Sequence, residues 1–263
     1  GIIQGRLTFS GNKLQCFPQN PYKEFSIASK LNYDFIELFA EKKINYNNPI
    51  WSKEGQQNYI KITKLNKMKP YSFCDDYFIG NSLAKKKTLS YVLKILKILH
   101  LLKIKKYVVP LYGKSFIKPK EEKRILNHLS AIAKACLKYK IELCIESNMS
   151  PKKFLEIKKK ISSKNCFFVF DTGNRGILNR DFFLDILMFG NNIRHVHLKD
   201  KNLKKKNVII GKGVVNFNKF FLYLKKIKYN GSFSIESQRG KDIFLQAQKN
   251  YDYFSKLINK YID

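Results

Sequence analysis

A chain of 263 residues that is 44% hydrophobic can bury one large core, and a single domain over 1–263 is expected, because α/β barrels reach this length undivided and no Pro/Gly/Ser-rich linker interrupts it. The 51 Lys and Arg outnumber the 20 Asp and Glu to give a formal charge of +31, which would suit a nucleic acid, an anionic membrane surface or a phosphorylated substrate. The lysines are dispersed over nearly every segment, however, and Lys, Ile, Asn, Tyr and Phe, all drawn from A/T-rich codons, are abundant together; the charge reads as solvated faces from compositional bias, and no nucleic-acid partner is expected.

In chain order, apolar runs that read as strands fall at 1–7, 33–39, 70–75, 106–111, 141–146, 166–171, 193–199 and 231–236. Amphipathic segments fill the gaps at about 21–31, 53–68, 82–103, 119–139, 150–161, 180–189, 216–228 and 241–261. Ser150 followed by Pro151, and Asn179 with Asp181, are helix start signals. The most apolar segment, 89–103, is interrupted by Lys94, Lys97 and His100, so it reads as a well-buried amphipathic helix and no membrane span is expected. Five cysteines without CxxC spacing read as reduced thiols of a cytoplasmic protein, and strand character from residue 2 onward leaves no signal peptide expected.

Eight strand–helix units predict a single (β/α)8 TIM barrel, because each parallel strand pair needs a helical crossover. An open doubly wound sheet would normally carry a Gly-rich phosphate turn after the first strand, and 2–11 lacks GxGxxG spacing. In a barrel the chemistry sits at the carboxyl ends of the strands. Glu37 is placed at the end of the second run, Asp75 and Asp76 at the third, Glu146 at the fifth, Asp171 at the sixth, His197 at the seventh and Glu236 at the eighth.

The period of two within a strand tests where these side chains point. In 231–236 the small polar set Ser232, Ser234 and Glu236 shares one face, Phe233 and Ile235 the other, which turns Glu236 inward. His195, His197 and Lys199 share a face in the seventh run, where His195 is expected as an interior hydrogen-bonding group. Asp171 alone could be a mere strand stop. Together, Glu146, Asp171, His197 and Glu236 come from four successive strands, and three carboxylates so close could not all stay ionised without a cation. One divalent metal ion is therefore expected, and the oxygen and imidazole donors suit Mn2+, Mg2+, Co2+ or Zn2+.

These residues resemble the xylose isomerase-like barrels, which include sugar-phosphate isomerases and epimerases, ketose 3-epimerases and inosose dehydratases. The likeness runs through IIQGRLTFSGNKLQCFP, EFSIASKLNYDFIELF, CDDYFI, FDTGN, HVHLKDKN and GKGVVNF, in order over nearly the full chain. The resemblance implies that Glu146, Asp171, His197 and Glu236 bind the metal and that Glu146 and Glu236 double as the catalytic acid/base pair. Where the ketose epimerases often carry a His three residues after the sixth-strand Asp, this chain has Asn174, and Asn216 replaces the Asp of the family's GxGxxDF turn.

The implied reaction is isomerisation or epimerisation of a sugar or sugar phosphate, by proton transfer through a metal-stabilised enediolate. Asn174, Lys199, Arg239, Glu37 and Asp76 are the expected substrate-binding residues. A metal-dependent polyol or inosose-type dehydratase is the alternative, since it needs the same base and metal. An apurinic endonuclease-like enzyme would need additional His ligands, and only His100 and His128, both in predicted helices, lie outside the seventh strand. A non-catalytic sugar-binding barrel is disfavoured by the presence of both glutamates. The expected partner is a small carbohydrate, and a homo-oligomer is compatible with the sequence.

Overall fold

The computed structural model describes residues 1–9, 11, 14, 16–178 and 181–262. Strands and main helices alternate as β1 (Ile2–Ile3), α1 (Lys23–Lys30), β2 (Ile36–Ala40), α2 (Lys53–Leu65), β3 (Ser72–Asp75), α3 (Lys86–Leu101), β4 (Lys106–Pro110), α4 (Glu122–Lys138), β5 (Glu142–Glu146), α5 (Pro151–Ile161), β6 (Cys166–Asp171), α6 (Phe182–Phe189), β7 (Ile193–Leu198), α7 (Phe217–Lys226), β8 (Ser232–Ile235) and α8 (Ile243–Tyr261). The eight strands close into a parallel barrel in the order β1-β8-β7-β6-β5-β4-β3-β2, the (β/α)8 architecture expected from the alternation.

The chain divides into two compact units, Glu37–Phe167 and the joined segments Gly1–Ile36 and Phe168–Asp263. In the first, β4 runs in parallel register with β5 from Lys106↔Glu142 to Pro110↔Glu146, and β3 pairs with both β2 and β4. Every residue of β4 is buried, as expected of a strand covered on both faces, and Lys106 at its start pairs with Glu142 at 3.3 Å. Ser52 and Ser150 cap α2 and α5 by accepting from Gly55 N–H at 3.0 Å and Lys153 N–H at 3.3 Å. On α3, Thr88, Tyr91, Val92, Ile95, Leu96 and Leu99 form the buried stripe while Lys94, Lys97 and His100 face solvent. Among the described residues no helix is long and apolar enough to cross a membrane.

In the second unit, β7 lies between β6 and β8, with Asp171↔His197 and His197↔Ser234 in register. Outward-facing Phe233 stacks on Phe221 of α7 with ring centroids 5.3 Å apart. Phe168 stacks on Phe189 of α6 at 4.0 Å, and the Arg175 guanidinium lies over Phe168, Phe170 and Phe189 while pairing with buried Asp185. Asp181 Oδ1 caps α6 through Phe183 N–H at 2.9 Å; Asn179, expected to share that role, lies outside the described residues.

Most strand bounds fall within a residue or two of expectation; the first two strands and one added strand pair differ more. The first strand stops at Ile3 instead of residue 7, because Gly5 takes a positive φ of 85° and the buried carboxylate of Glu24 collects the N–H groups of Gly5, Leu7 and Thr8 at 2.6, 2.9 and 2.9 Å. The second strand starts at Ile36 and runs to Ala40, so Glu37 lies three positions short of its end. A small antiparallel pair, Asp200–Lys201 with Asn207–Val208, went unpredicted. It is organised by Asp200, which accepts from Gly211 and Gly213 N–H at 2.9 Å each and from Val215 N–H at 3.2 Å.

Candidate active site

At the carboxyl end of β6, Asp171 does two things at once. It ends the strand and caps the short helix Thr172–Gly176, with Oδ1 accepting from Asn174 N–H at 2.6 Å and Oδ2 from Asn174 Nδ2 at 2.8 Å. The strand-stop reading therefore applies to it. The β6–β7 register sets His197 beside it, and each offers a metal-binding atom within 4.8 Å of the other. His197 Nδ1 stands 3.4 Å from Glu236 Oε2, and Glu236, the residue after β8, is fixed by its N–H to Leu198 O at 3.0 Å. Lys199 joins the group: its Nζ lies 3.4 Å from Asp171 Oδ2 and donates to Glu236 Oε1. All four side chains are buried.

The electrostatics follow from this packing. Burial alone would push the Glu236 carboxyl up, but the Lys199 ammonium, His197 and the Arg6 guanidinium outweigh it and hold the group down at about 2. His195 sits deeper on the same strand, with Nδ1 2.7 Å from Ser232 Oγ and its ring edge-on to His197, the interior hydrogen-bonding role expected of it.

Arg239, expected at the substrate, donates from Nε to Gly5 O at 2.7 Å and from Nη2 to Leu14 O at 3.2 Å, so it ties the loop after β8 to the loop after β1. Asn216 caps α7, accepting from Lys219 N–H at 2.9 Å, so the residue at the replaced position serves as a helix start.

In the Glu37–Phe167 unit, Glu146 is the last residue of β5 and is buried. Glu37 is fully buried within β2. Asp76 is also buried, with its N–H donating to Ala40 O at 2.9 Å. Its neighbour Asp75 is the more constrained group. Tyr107 OH donates to Asp75 Oδ2 at 2.6 Å and Tyr91 OH to Oδ1 at 3.1 Å, with Tyr77 stacked on Tyr91 at 3.9 Å. Burial lifts the Asp75 carboxyl to about 7 even though three hydrogen bonds favour its ionised form. Sequence reading assigned Asp75 to the rim but missed both tyrosines, which stand 16 and 32 residues away.

Asp171, His197 and Glu236 present the carboxylate and imidazole donors that a divalent ion takes. The donor set fits such an ion.

Comparison with known proteins matches residues 25–257 to a family model described as xylose isomerase-like TIM barrel. An uncharacterised protein of Methanocaldococcus jannaschii is 32% identical over 125 residues, 43% of this chain and 43% of that protein, so the match spans less than half the length of this relative. Among solved structures, a D-psicose 3-epimerase from Clostridium cellulolyticum H10 superposes with a TM-score of 0.80 at 16% identity, covering 98% of each chain. A xylose isomerase-like TIM barrel protein from Mycobacterium smegmatis, in complex with magnesium, superposes with a TM-score of 0.74 at 12% identity, covering 100% of this chain and 97% of that one.

Proposed function

Because the chain belongs to the xylose isomerase-like TIM barrel family, we propose that it is a divalent-metal-dependent isomerase or epimerase acting on a sugar or sugar phosphate, with 1–263 as one catalytic domain. The observation that carries this reading is the convergence of Asp171, His197 and Glu236, buried carboxylate and imidazole donors at neighbouring strand ends. The epimerase named among the structural neighbours and the magnesium named in another support it.

In this reading Glu146, Asp171, His197 and Glu236 hold the ion. When bound, the metal supplies Lewis acidity to the carbonyl and adjacent hydroxyl of the sugar, stabilising the charge of an enediolate. One glutamate, Glu146 or Glu236, removes the proton next to the carbonyl and the other returns a proton to the opposite face or to the neighbouring carbon. Burial of these groups keeps bulk water from the reacting centre, which protects the enediolate from side reactions. The remaining histidines have other engagements: His128 Nδ1 lies 2.6 Å from Leu83 O, and His100 packs against Tyr139. A multi-metal endonuclease site therefore gains no support from them.

The test is solvent deuterium incorporation across a panel of ketoses and their phosphates with Mn2+, Mg2+ and Co2+. Glu146→Gln and Glu236→Gln are each expected to abolish incorporation while the circular dichroism spectrum is unchanged. Wild-type protein that bound no divalent ion, with both variants exchanging protons normally, would sink the reading.

A further inference from the structure

Lys199 is held by a cradle made of three consecutive residues at the end of β6. Lys199 N–H donates to Thr172 Oγ1 at 2.9 Å, and the same hydroxyl reaches Lys199 O at 2.6 Å. Gly173 lies under the lysine stem: a Cβ there would stand 2.9 Å from Lys199 Cγ and 3.2 Å from Lys199 Cβ. Its φ is not positive, so the glycine is required by this close approach rather than by turn geometry. Asp171 then receives the ammonium at 3.4 Å, and Glu236 accepts a hydrogen bond from it. The Asp171-Thr172-Gly173 stretch and Lys199 thus form one device, with backbone, stem and charged end each engaged.

A lysine so housed occupies the same two carboxylates that the reading above gives to the metal. An ammonium and a divalent cation repel, and at hydrogen-bonding range in a buried site neither could share those oxygens at full strength. We propose that Lys199 is a resident counter-cation that competes with the divalent ion for Asp171 and Glu236, so that loading the ion and withdrawing the ammonium are one event. This inference rests on the metal-dependent reading of the site.

Calorimetric titration of the full chain with Mn2+ tests it, alongside thermal melts with and without the ion. Lys199→Met should tighten Mn2+ binding by on the order of tenfold, the size of a typical coupling between competing ligands. The same variant should melt below wild type in chelator, because Asp171 and Glu236 lose the ammonium between them, and recover with saturating Mn2+. A lysine that only braced the fold would lower the melting point and weaken metal binding together, so the opposite signs are the signature. Gly173→Ala, which displaces the stem without removing the charge, should shift affinity in the same direction by less and serves if Lys199→Met does not fold. Wild-type binding with unchanged or weaker affinity in the folded variants would overturn the inference and leave the proposed function standing. Failure of every form to bind a divalent ion would overturn both.

Discussion

Two buried carboxylates of this chain meet opposite fates. Glu236 has the Lys199 ammonium, His197 and Arg6 around it and is held ionised at about 2, whereas Asp75, among the described residues, has the hydroxyls of Tyr91 and Tyr107 and the Tyr77 N–H and is lifted to about 7. Both are removed from water. What separates them is the kind of partner: three neutral donors do not offset the desolvation of a carboxylate, and nearby positive charge does. The group with the cations belongs to the proposed catalytic set; the one without them belongs to a hydrogen-bonded aromatic cluster.

The contrast can be broken most severely at Arg175, the cation paired with buried Asp185. Arg175→Met should cost about 3–5 kcal/mol in urea denaturation, because it leaves a buried carboxylate without its partner. Asp75 provides the next test. Its folded-state value lies above that of the unfolded chain, so between about pH 4 and 7 the folded protein holds a proton that the unfolded one has lost, and this contribution to stability disappears as pH rises through about 7. Asp75→Asn should flatten that decline, by on the order of a few kcal/mol, in melts taken across the window. Tyr107→Phe removes a donor to the ionised form, should cost about 1–3 kcal/mol at pH 8 and less at pH 5, and should move the decline to higher pH. Ser150→Ala removes a neutral helix cap and should cost about 1 kcal/mol at every pH, the control against which the charged sites are judged.

Much of the fold was legible because its periodicities are local. The stretch 166–171 matches β6 to the residue, and the stripe on α3 follows helical spacing. Ser150 and Asp181 cap the helices they were expected to start. Boundaries failed where a distant group intervened. Glu24 draws the chain out of β1 after Ile3, and within 1–7 Gly5 alone hints at the break. Glu37 sits deeper in β2 than a rim residue because the apolar run continues to Ala40. For the site, the polar strand ends and their facing in 231–236 came from the alternation of side chains, while the hydrogen bonds of Arg239 to Gly5 O and Leu14 O, more than 220 positions away, had no signal in the sequence.

What the amino-acid order determined by itself is the succession of eight strand and helix periods and the residues at their ends, since 2.0 and 3.6 periodicities are properties of neighbouring positions. What only the tertiary structure decided is which groups meet. Lys199 reaches Asp171 across 28 positions and Glu236 across 37, and Gly173 is required by a side chain 26 positions further on. Parallel strands joined by helical crossovers bring such residues together, and the resulting burial sets which carboxylates keep their charge.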